Sequence, residues 1–311
     1  MTHSKYWDDF QRRARETVYC LQNNKPVPVR RVAVFITNQC NFRCSYCNHS
    51  QDKKQMQREV FEKIIEDNRD AIIHITGGEP STVSWLYDFI DSTPGVRFHL
   101  NTNGFIKPPR NIQRLKASLD TVSPKYFDFI TGTSGAYNKV MQHIQEASLY
   151  TTVSITYTLT KENYLLAPSF MRQVRKTFPK VYATFFSVYK GTNPRFMFNE
   201  ESANDFFENV KYNLELEMDE ESYRLFQETI TEKQRIMQGI RFPENKIETP
   251  CYLSMSERVF SPSGEKFNCS HLYRDSIQHV RHNIQSRCQY GCNTRLAQFN
   301  QDVAAKLTQG P

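Results

Sequence analysis

The stretch Cys40-Asn41-Phe42-Arg43-Cys44-Ser45-Tyr46-Cys47 follows the apolar run Arg31-Val32-Ala33-Val34-Phe35-Ile36-Thr37, and the rest of the chain is organised around it. Three cysteines lie within eight residues, with three and then two residues between them. On a loop, this spacing lets three thiolates converge on three corners of one iron–sulfur cube. The fourth iron then has no protein ligand, which leaves it open for chemistry.

A zinc site, or a set of reduced surface thiols, is the alternative interpretation of the same cysteines. Structural zinc sites close four ligands, usually as pairs of cysteines separated by two residues, and no fourth ligand sits at a familiar spacing here. His49 follows Cys47 too closely to complete a tetrahedron comfortably. The spacing therefore favours a cluster over zinc.

A second motif, Thr76-Gly77-Gly78-Glu79-Pro80, follows a second predicted strand. The cysteine octet and this segment together resemble the radical S-adenosylmethionine (radical SAM) superfamily. The resemblance implies that Cys40, Cys44 and Cys47 hold a 4Fe-4S cluster. It also implies that the amine and carboxylate of SAM chelate the fourth iron.

The residues of the two motifs suit a bound cofactor in different ways. Glycine has no Cβ, so Gly77 and Gly78 allow main chain to come close to a ligand at the end of a strand, where Glu79 offers an acceptor to an ammonium group. An ordinary turn between strand and helix is the alternative for this segment taken alone. The resemblance implies that Gly77, Gly78 and Glu79 receive the methionine amino group and that Tyr46 lies beside the adenine.

Strands and helices alternate from residue 32 to about 188, which predicts an α/β fold with a parallel sheet or barrel. The resemblance implies a partial (β/α)6 TIM-like barrel, in which catalytic groups collect at the carboxyl ends of the strands. The predicted strands cover 32–37, 71–76, 96–101, 116–120, 152–158 and 181–188, and the predicted helices lie near 5–23, 57–68, 82–92, 137–149 and 164–177.

Weaker resemblances lie at the ends of the third and fourth predicted strands, at Asn101-Thr102-Asn103-Gly104 and Ala117-Ser118-Leu119-Asp120. In the family the second of these strand ends lies near the SAM ribose and carboxylate. Ser118 and Asp120 are therefore cofactor-binding candidates, because hydroxyl and carboxylate side chains suit ribose hydroxyls. A helix cap or turn former in an ordinary loop is the alternative for both.

The segment at residues 127–140 resembles a further pattern of the family, with two departures. Phe127 stands where the family usually has His, and Thr131 stands where it usually has Arg. The departures argue against assigning a chemical role to these side chains. No catalytic residue is predicted from the sequence.

Four cysteines near the carboxyl end, Cys251, Cys269, Cys288 and Cys292, form a second set. Residues 258–261 and 265–268 flank a turn at 262–264 and predict a β-hairpin. The set resembles the twitch or truncated SPASM extension of part of the radical SAM family, which implies a second, auxiliary 4Fe-4S cluster. A zinc site with four thiolates is the alternative.

The predicted domains are an N-terminal helical extension (1–30), a radical SAM partial barrel (31–195), a helical bridge of two helices (196–245) and a twitch/SPASM-like auxiliary-cluster module (246–311). The last of these is predicted as a small cysteine-rich β-hairpin with a helix. No Gly/Ser-rich linker separates the parts, so we expect the module to pack against the barrel.

Composition limits the compartment and the partners. The chain of 311 residues is 39% hydrophobic, has eight cysteines and carries a formal charge of +7 with a pI near 8.9. The apolar runs are strand-sized and the first residues lack a signal-peptide core, so we expect no membrane association and a cytoplasmic location. In that compartment cysteines serve as metal or cluster ligands more often than as disulfides. The positive charge slightly favours an anionic partner.

The resemblance implies a radical SAM oxidoreductase or isomerase that cleaves SAM reductively to a 5′-deoxyadenosyl radical, which abstracts a substrate hydrogen atom. The outcome would be oxidation, cross-linking or rearrangement of a peptide, amino-acid or nucleotide substrate. A flavodoxin- or ferredoxin-like one-electron donor is the implied partner. The alternative function is a SAM- and cluster-binding regulatory or antiviral-type protein without physiological turnover. The sequence predicts neither the substrate class nor the oligomeric state.

Overall fold

The computed structural model describes residues 3–49, 52–240, 250–267 and 294–308. These residues contain one eight-stranded sheet in the order β6-β5-β4-β3-β2-β1-β7-β8, in which all neighbours are parallel except β7 and β8. The strands are β1 (Arg31–Thr37), β2 (Ile72–Gly77), β3 (Arg97–Thr102), β4 (Arg114–Ser118), β5 (Thr152–Leu159), β6 (Ala183–Val188), β7 (Glu257–Phe260) and β8 (Lys266–Phe267).

Helices connect most of the parallel strands, while residues 103–113 join β3 to β4 without a helix. A π-helical segment, Phe206–Val210, joins α7 to α8. No helix among the described residues is long and apolar enough to cross a bilayer. The helices are α1 (Lys5–Gln22), α2 (Arg58–Glu66), α3 (Leu86–Ser92), α4 (Pro124–Thr131), α5 (Ala136–Ala147), α6 (Ala167–Thr177), α7 (Glu200–Asp205), α8 (Lys211–Glu217), α9 (Glu220–Gln227), α10 (Ile230–Met237), α11 (Leu253–Ser256) and α12 (Thr294–Thr308).

The two faces of the sheet differ in chemistry because successive side chains point to opposite sides. One face, called here the helix face, packs under α2–α6 and buries apolar residues such as Ile73, Phe98 and Leu115. The other, called the open face, carries polar residues on the same strands, including the half-buried His74 and His99. The helix face supplies the main core, and on the open face Ala33, Phe35 and Val259 form a separate small buried cluster.

The six parallel strands and the helices between them agree with the alternation predicted from the sequence, so the α/β class with a parallel sheet is confirmed. The fourth strand is shifted, since it runs from Arg114 to Ser118 and not over 116–120. Its first residues alternate a cation with an apolar residue, which hid its start. Helix α4 was not predicted, although Ser123 caps it and Pro124 occupies its first turn.

The bridge region contains more helical segments than the two predicted. The helical stretch α7–α8 ends near Met218, and Asp219 then caps α9 by accepting a hydrogen bond from the Ser222 amide at 2.9 Å. Helix α10 follows after a short break at Glu228–Thr229. The chain therefore folds back more often here than its helical periodicity suggested.

Within the segment for which a hairpin is predicted, Val259 and Phe260 pair antiparallel with Phe267 and Lys266. Its first strand also pairs in parallel with β1, starting at Arg31 opposite Glu257. The hairpin thus continues the main sheet at its β1 edge. The auxiliary module and the domain boundaries remain predictions, because much of the region lies outside the described residues.

Helix α1 is attached to this edge of the sheet by a buried ion pair. Arg13 Nη1 lies 2.6 Å from Glu257 Oε1, and the two side chains are 4% and 13% exposed. Helix α1 also packs against α12, with the Phe10 and Phe299 rings 6.3 Å apart. The N-terminal extension is therefore part of the main fold.

Replacing Arg13 by methionine should destabilise the protein by about 3 kcal/mol, because the Glu257 carboxylate would lose its partner in a mostly dehydrated site. The matched control is Arg12→Met, since Arg12 pairs with Asp9 at 2.5 Å but is 60% exposed. That change should cost at most about 1 kcal/mol. Urea unfolding of both variants measures the difference, and equal losses would contradict a structural role for the buried pair.

Candidate functional site

The three cysteines lie on the loop that leaves the carboxyl end of β1. Phe42, in the middle of the loop, is 1% exposed and anchors it. Its ring centre lies 5.6 Å from that of Phe105 and 6.2 Å from that of Phe127. A large buried aromatic ring between thiols fixes the loop, because removing it would open a core cavity.

The main chain of the loop is also held by the end of α4. The amide of Arg43 donates to the carbonyl of Thr131 at 2.9 Å, and the amide of Ser45 donates to that of Ile130 at 2.9 Å. These bonds, and the packing of Phe127 on Phe42, give a structural use to the segment in which the family's usual His and Arg are replaced. The departures at Phe127 and Thr131 thus occur where the chain supports its cysteine loop.

Gly77 and Gly78 are needed by the protein's own main chain. A Cβ at Gly77 would lie 2.3 Å from the carbonyl oxygen of Thr37, and a Cβ at Gly78 would lie 2.2 Å from that of Gln39. Gly77 also has φ near +149°, in the region that favours glycine. The amide of Gly78 donates to Thr37 O at 2.7 Å, so the end of β2 presses directly on the start of the cysteine loop.

Glu79 is 1% exposed and holds the end of β2 to the end of β3. Its carboxylate accepts hydrogen bonds from the Thr102 hydroxyl at 2.7 Å, the Asn103 amide at 2.6 Å and the Ser81 amide at 3.0 Å. Burial raises the pKa of Glu79, and these three donors offset part of that rise. Its role as an acceptor for the SAM ammonium remains a prediction.

Tyr46 and Asp120, two predicted cofactor residues far apart in sequence, are in direct contact. The Tyr46 hydroxyl donates to Asp120 Oδ2, while the amide of Thr158 donates to Oδ1 at 2.5 Å. Asp120 is 4% exposed, and burial raises its pKa. Burial and the nearby Asp120 carboxylate also raise the pKa of Tyr46. The pair joins the cysteine loop to the ends of β4 and β5.

Ser118 lies two residues before Asp120 on the open face and is exposed. It pairs with Thr156 across β4 and β5.

Asn103 is a site residue that the sequence placed only in a weak motif. Its side-chain nitrogen, Nδ2, donates to Asn41 Oδ1 at 2.7 Å and lies 4.0 Å from Cys40 Sγ. A polar residue directly after a strand end was the signal available for it.

The thiols fit an iron–sulfur cube by their chemistry. Burial raises the pKa of Cys44, and Asp120, Cys47 and Cys40 add to the rise in that order, which places the three thiols within electrostatic reach of one another. Positive charge from iron would favour the thiolates that this environment disfavours. Among the described residues, no three His, Cys, Asp or Glu side chains are grouped to hold one metal ion. A cube binds each thiolate on a separate iron.

Below this edge, the open face is basic, which sequence analysis missed. His74 pairs with His99, and His99 pairs with Arg114, across three adjacent strands. Lys116 follows two residues along, with its Nζ 4.1 Å from the ring centre of Phe185. Arg114, Lys116 and the histidines are half-buried. Alternation of basic and apolar residues in β3 and β4 indicates that His99, Arg114 and Lys116 lie opposite the core, but it does not show that they meet His74 on one face.

Cys251 is the one member of the carboxyl-terminal set that lies within the described residues. It packs beside the cluster formed by Phe10, Leu253 and Phe299. Cys269, Cys288 and Cys292 lie outside the described residues. The second cluster and its zinc alternative therefore both remain predictions.

The part of the chain that holds this site matches a radical SAM domain. The family model of the Radical SAM superfamily matches residues 34–164, a range that contains the cysteine loop, Gly77–Glu79 and Asp120. The match confirms this domain and supports a SAM-binding 4Fe-4S site.

Curated relatives named GTP 3′,8-cyclase match part of the chain. The protein of Peptoclostridium acidaminophilum is 29% identical over 158 residues, which cover 44% of this chain and 46% of that protein. The protein of Desulforamulus reducens is 32% identical over 136 residues, covering 37% and 41%. The chain spans less than half the length of these relatives.

Two solved structures share the fold. SuiB of Streptococcus suis bound to S-adenosylmethionine has a TM-score of 0.58 at 12% identity, covering 86% of this chain and 66% of that one. Native anSMEcpe with bound AdoMet has a TM-score of 0.59 at 15% identity, covering 91% and 84%. At these identities the likeness extends to the fold alone.

Gly78→Ala should destabilise the protein by about 2–3 kcal/mol, because the new Cβ would overlap main-chain atoms that cannot move aside freely. The control is Gly95→Ala, where φ is +82° but no atom lies within 4 Å of the new Cβ. That variant should lose only about 1 kcal/mol from backbone strain. Urea unfolding compares them, and a smaller loss for Gly78→Ala than for the control would show that the loop contact is not tight.

Lowering the pH from 7 to 5 should destabilise the protein through His99. Burial, followed by the charge of Arg114, lowers the pKa of His99 to about 4, below its ordinary value of 6.5. The unfolded chain therefore binds a proton that the folded chain excludes, so stability falls as pH drops below about 6.5. His99→Gln should reduce the loss over this range by about 1–2 kcal/mol. Urea midpoints at pH 7 and pH 5 measure it, and an unchanged pH slope in the variant would contradict the assignment.

Proposed function

We propose that this chain is a radical SAM enzyme that holds a 4Fe-4S cluster at Cys40, Cys44 and Cys47. One observation carries the proposal: the cysteine loop, the Gly77–Glu79 segment and Asp120 meet at the carboxyl edge of one parallel sheet. A bound and reduced cluster would supply one electron to SAM, whose C5′–S bond would break to give methionine and a 5′-deoxyadenosyl radical able to take a hydrogen atom from the substrate.

The side chains at this edge have positioning roles in the proposal. Both carboxylate oxygens of Asp120 are engaged, by Tyr46 and by the amide of Thr158, so Asp120 fixes the orientation of Tyr46. Tyr46 can then present a fixed ring to the adenine. Ser118 is exposed and lies two residues before Asp120, and its hydroxyl would bind the ribose. Glu79 keeps the β2 end rigid beneath the methionine group.

A nucleotide is the favoured substrate class. The sequence relatives are named for a GTP-converting activity, and the open face beneath the cysteine edge is basic. A peptide is the second candidate, because neighbours of the same fold were solved with peptides, SuiB with its precursor SuiA and anSMEcpe with a Cp18Cys peptide. Oxidation, cross-linking and rearrangement are the reaction outcomes that hydrogen abstraction allows.

We also propose a second cluster at the carboxyl-terminal cysteines, an external electron donor and a cytoplasmic location. Cys251, Cys269, Cys288 and Cys292 would ligate a second 4Fe-4S cluster, fully closed by thiolates and suited to electron transfer or anchoring. A flavodoxin- or ferredoxin-like protein would supply electrons to the cluster at the carboxyl edge of the sheet. A cytoplasmic location suits the reduced thiols.

The competing function is a SAM- and cluster-binding regulatory protein without turnover. Both functions need the same cysteines, so measuring the binding of SAM or of the cluster does not distinguish them. Anoxic incubation with SAM and dithionite does, because only an enzyme forms 5′-deoxyadenosine. Bound SAM that stays intact in protein with a full, reduced cluster would contradict the enzyme.

Cys47→Ala should abolish 5′-deoxyadenosine formation, because the cube would lose one of its three thiolates. Cys20→Ala is the control, since Cys20 is a 7% exposed thiol in α1, away from the loop. It should keep both cluster and SAM cleavage. The measurement is chromatography of the reaction products together with iron and sulfide content. Cleavage by the Cys47 variant at the rate of the control would overturn the site.

The same preparations test the second cluster. Wild-type protein with two cubes should contain about eight irons per chain, and the triple variant of Cys40, Cys44 and Cys47 to alanine should keep about four. Zinc in place of those four irons would instead support the zinc alternative for the carboxyl-terminal set.

A further inference from the structure

The open face carries a group of cations and imidazoles that the cysteine site does not use. We define the basic patch as Arg31, His74, His99, Arg114 and Lys116. They come from four adjacent strands, β1 to β4, and parallel pairing brings them to one face. The His74 and His99 rings lie 6.1 Å apart, and Arg31 and Arg114 both lower the pKa of these imidazoles after burial does. The histidines are therefore neutral at pH 7.

Three carboxylates, Asp9, Glu257 and Glu221, lie close enough to Arg31 or Arg114 to offset part of the charge of the patch, and each also has another partner. Asp9 and Glu257 lie within ion-pair distance of Arg13, at 3.2 Å and 2.6 Å. Glu221 accepts hydrogen bonds from the Tyr182 hydroxyl at 2.9 Å and from the Lys5 amide at 3.1 Å. With Arg13 included, four cations stand against these three carboxylates, so the local balance of charge is positive at half-buried residues.

Arg114 is oriented over the sheet by neutral neighbours. It donates to Ser154 Oγ at 3.3 Å, and its guanidinium lies 5.2 Å from the ring centre of Phe185. Lys116 lies over the same ring. Beside it, across the β3–β4 pairing, the buried side-chain oxygen of Asn101 has no hydrogen-bond partner among the described residues. The two cations suit an anionic group, whereas the unsatisfied amide oxygen accepts a hydrogen bond and so suits a donor such as a sugar hydroxyl.

The distance between the patch and the cysteine edge matches an extended nucleotide. Ser118 lies at the carboxyl edge, Lys116 two residues below and Arg114 four residues below on the same strand. At about 3.3 Å per residue, these steps are roughly 7 and 13 Å. A nucleotide whose sugar or base lies at the edge would place its phosphates along β4, between Lys116 and Arg114.

We propose, on the basis of the function proposed above, that the basic patch binds the phosphate groups of a nucleoside polyphosphate substrate, with Arg114 and Lys116 as its principal contacts. Phosphate oxygens match the fork of a guanidinium and the point charge of an ammonium. Neutral His74 and His99 add donors without increasing the repulsion among the cations. The patch thereby selects a nucleotide over the corresponding nucleoside.

Titration calorimetry under anoxic conditions tests this with cluster-loaded protein and SAM. The probes are GTP, guanosine and inorganic triphosphate. Wild-type protein should bind GTP at least about tenfold more tightly than guanosine, and triphosphate should compete with GTP. The double variant Arg114→Gln/Lys116→Gln should lose that preference, and Lys63→Gln, an exposed lysine of α2 that pairs with Asp67, should keep it.

The outcomes separate the two proposals. Equal binding of GTP and guanosine by wild-type protein, or an unchanged preference in the double variant, overturns the phosphate site. If Arg114→Gln does not fold, Lys116→Gln alone should still reduce the preference, and no reduction counts against the site. Formation of 5′-deoxyadenosine is measured separately in wild-type and Lys63→Gln protein. Its absence there would overturn the proposed enzyme while leaving the binding result intact.

Discussion

The contact between the end of β2 and the start of the cysteine loop constrains everything else in the site. Two glycines bring the main chain at 77–78 against the main chain at 37–39, closer than any residue with a Cβ would allow. The close approach fixes where the loop leaves β1, and so where its thiols stand relative to Glu79. The Gly77–Gly78 segment, which the sequence suggests as a ligand-binding motif, therefore also forms the contact between the ends of β1 and β2.

Two buried carboxylates connect further strand ends along the same edge of the sheet. Glu79 ties β2 to β3, and Asp120 ties the cysteine loop to β4 and β5 through Tyr46 and Thr158. Burial raises the pKa of both carboxyls, which means that each is less favourable as a charge than it would be in water. Such groups cost folding free energy unless donors surround them. Here they are surrounded, and the result is a rigid edge at which a cofactor can be positioned.

The open face divides into two regions along its strands. The carboxyl edge holds thiols, hydroxyls and carboxylates, and the region below it holds Arg31, Arg114 and Lys116 with two neutral histidines. In the function proposed above, the cofactor lies at the edge and the substrate reaches it from the sheet below. The main apolar core lies on the helix face, so the charged residues of the open face are not part of it.

Much of this arrangement could be predicted from the order of residues alone. Strands buried by helices appear in the sequence as apolar runs, so β1, β2 and β5 were predicted nearly to their ends. The close spacing of Cys40, Cys44 and Cys47 along the chain was enough to group them. The start of β4 was missed, because cations alternate with its core residues. The contact of Tyr46 with Asp120, and the basic patch drawn from residues 31, 74, 99, 114 and 116, could not be predicted. These residues are far apart in sequence, and only the register of parallel strands brings their side chains to one face.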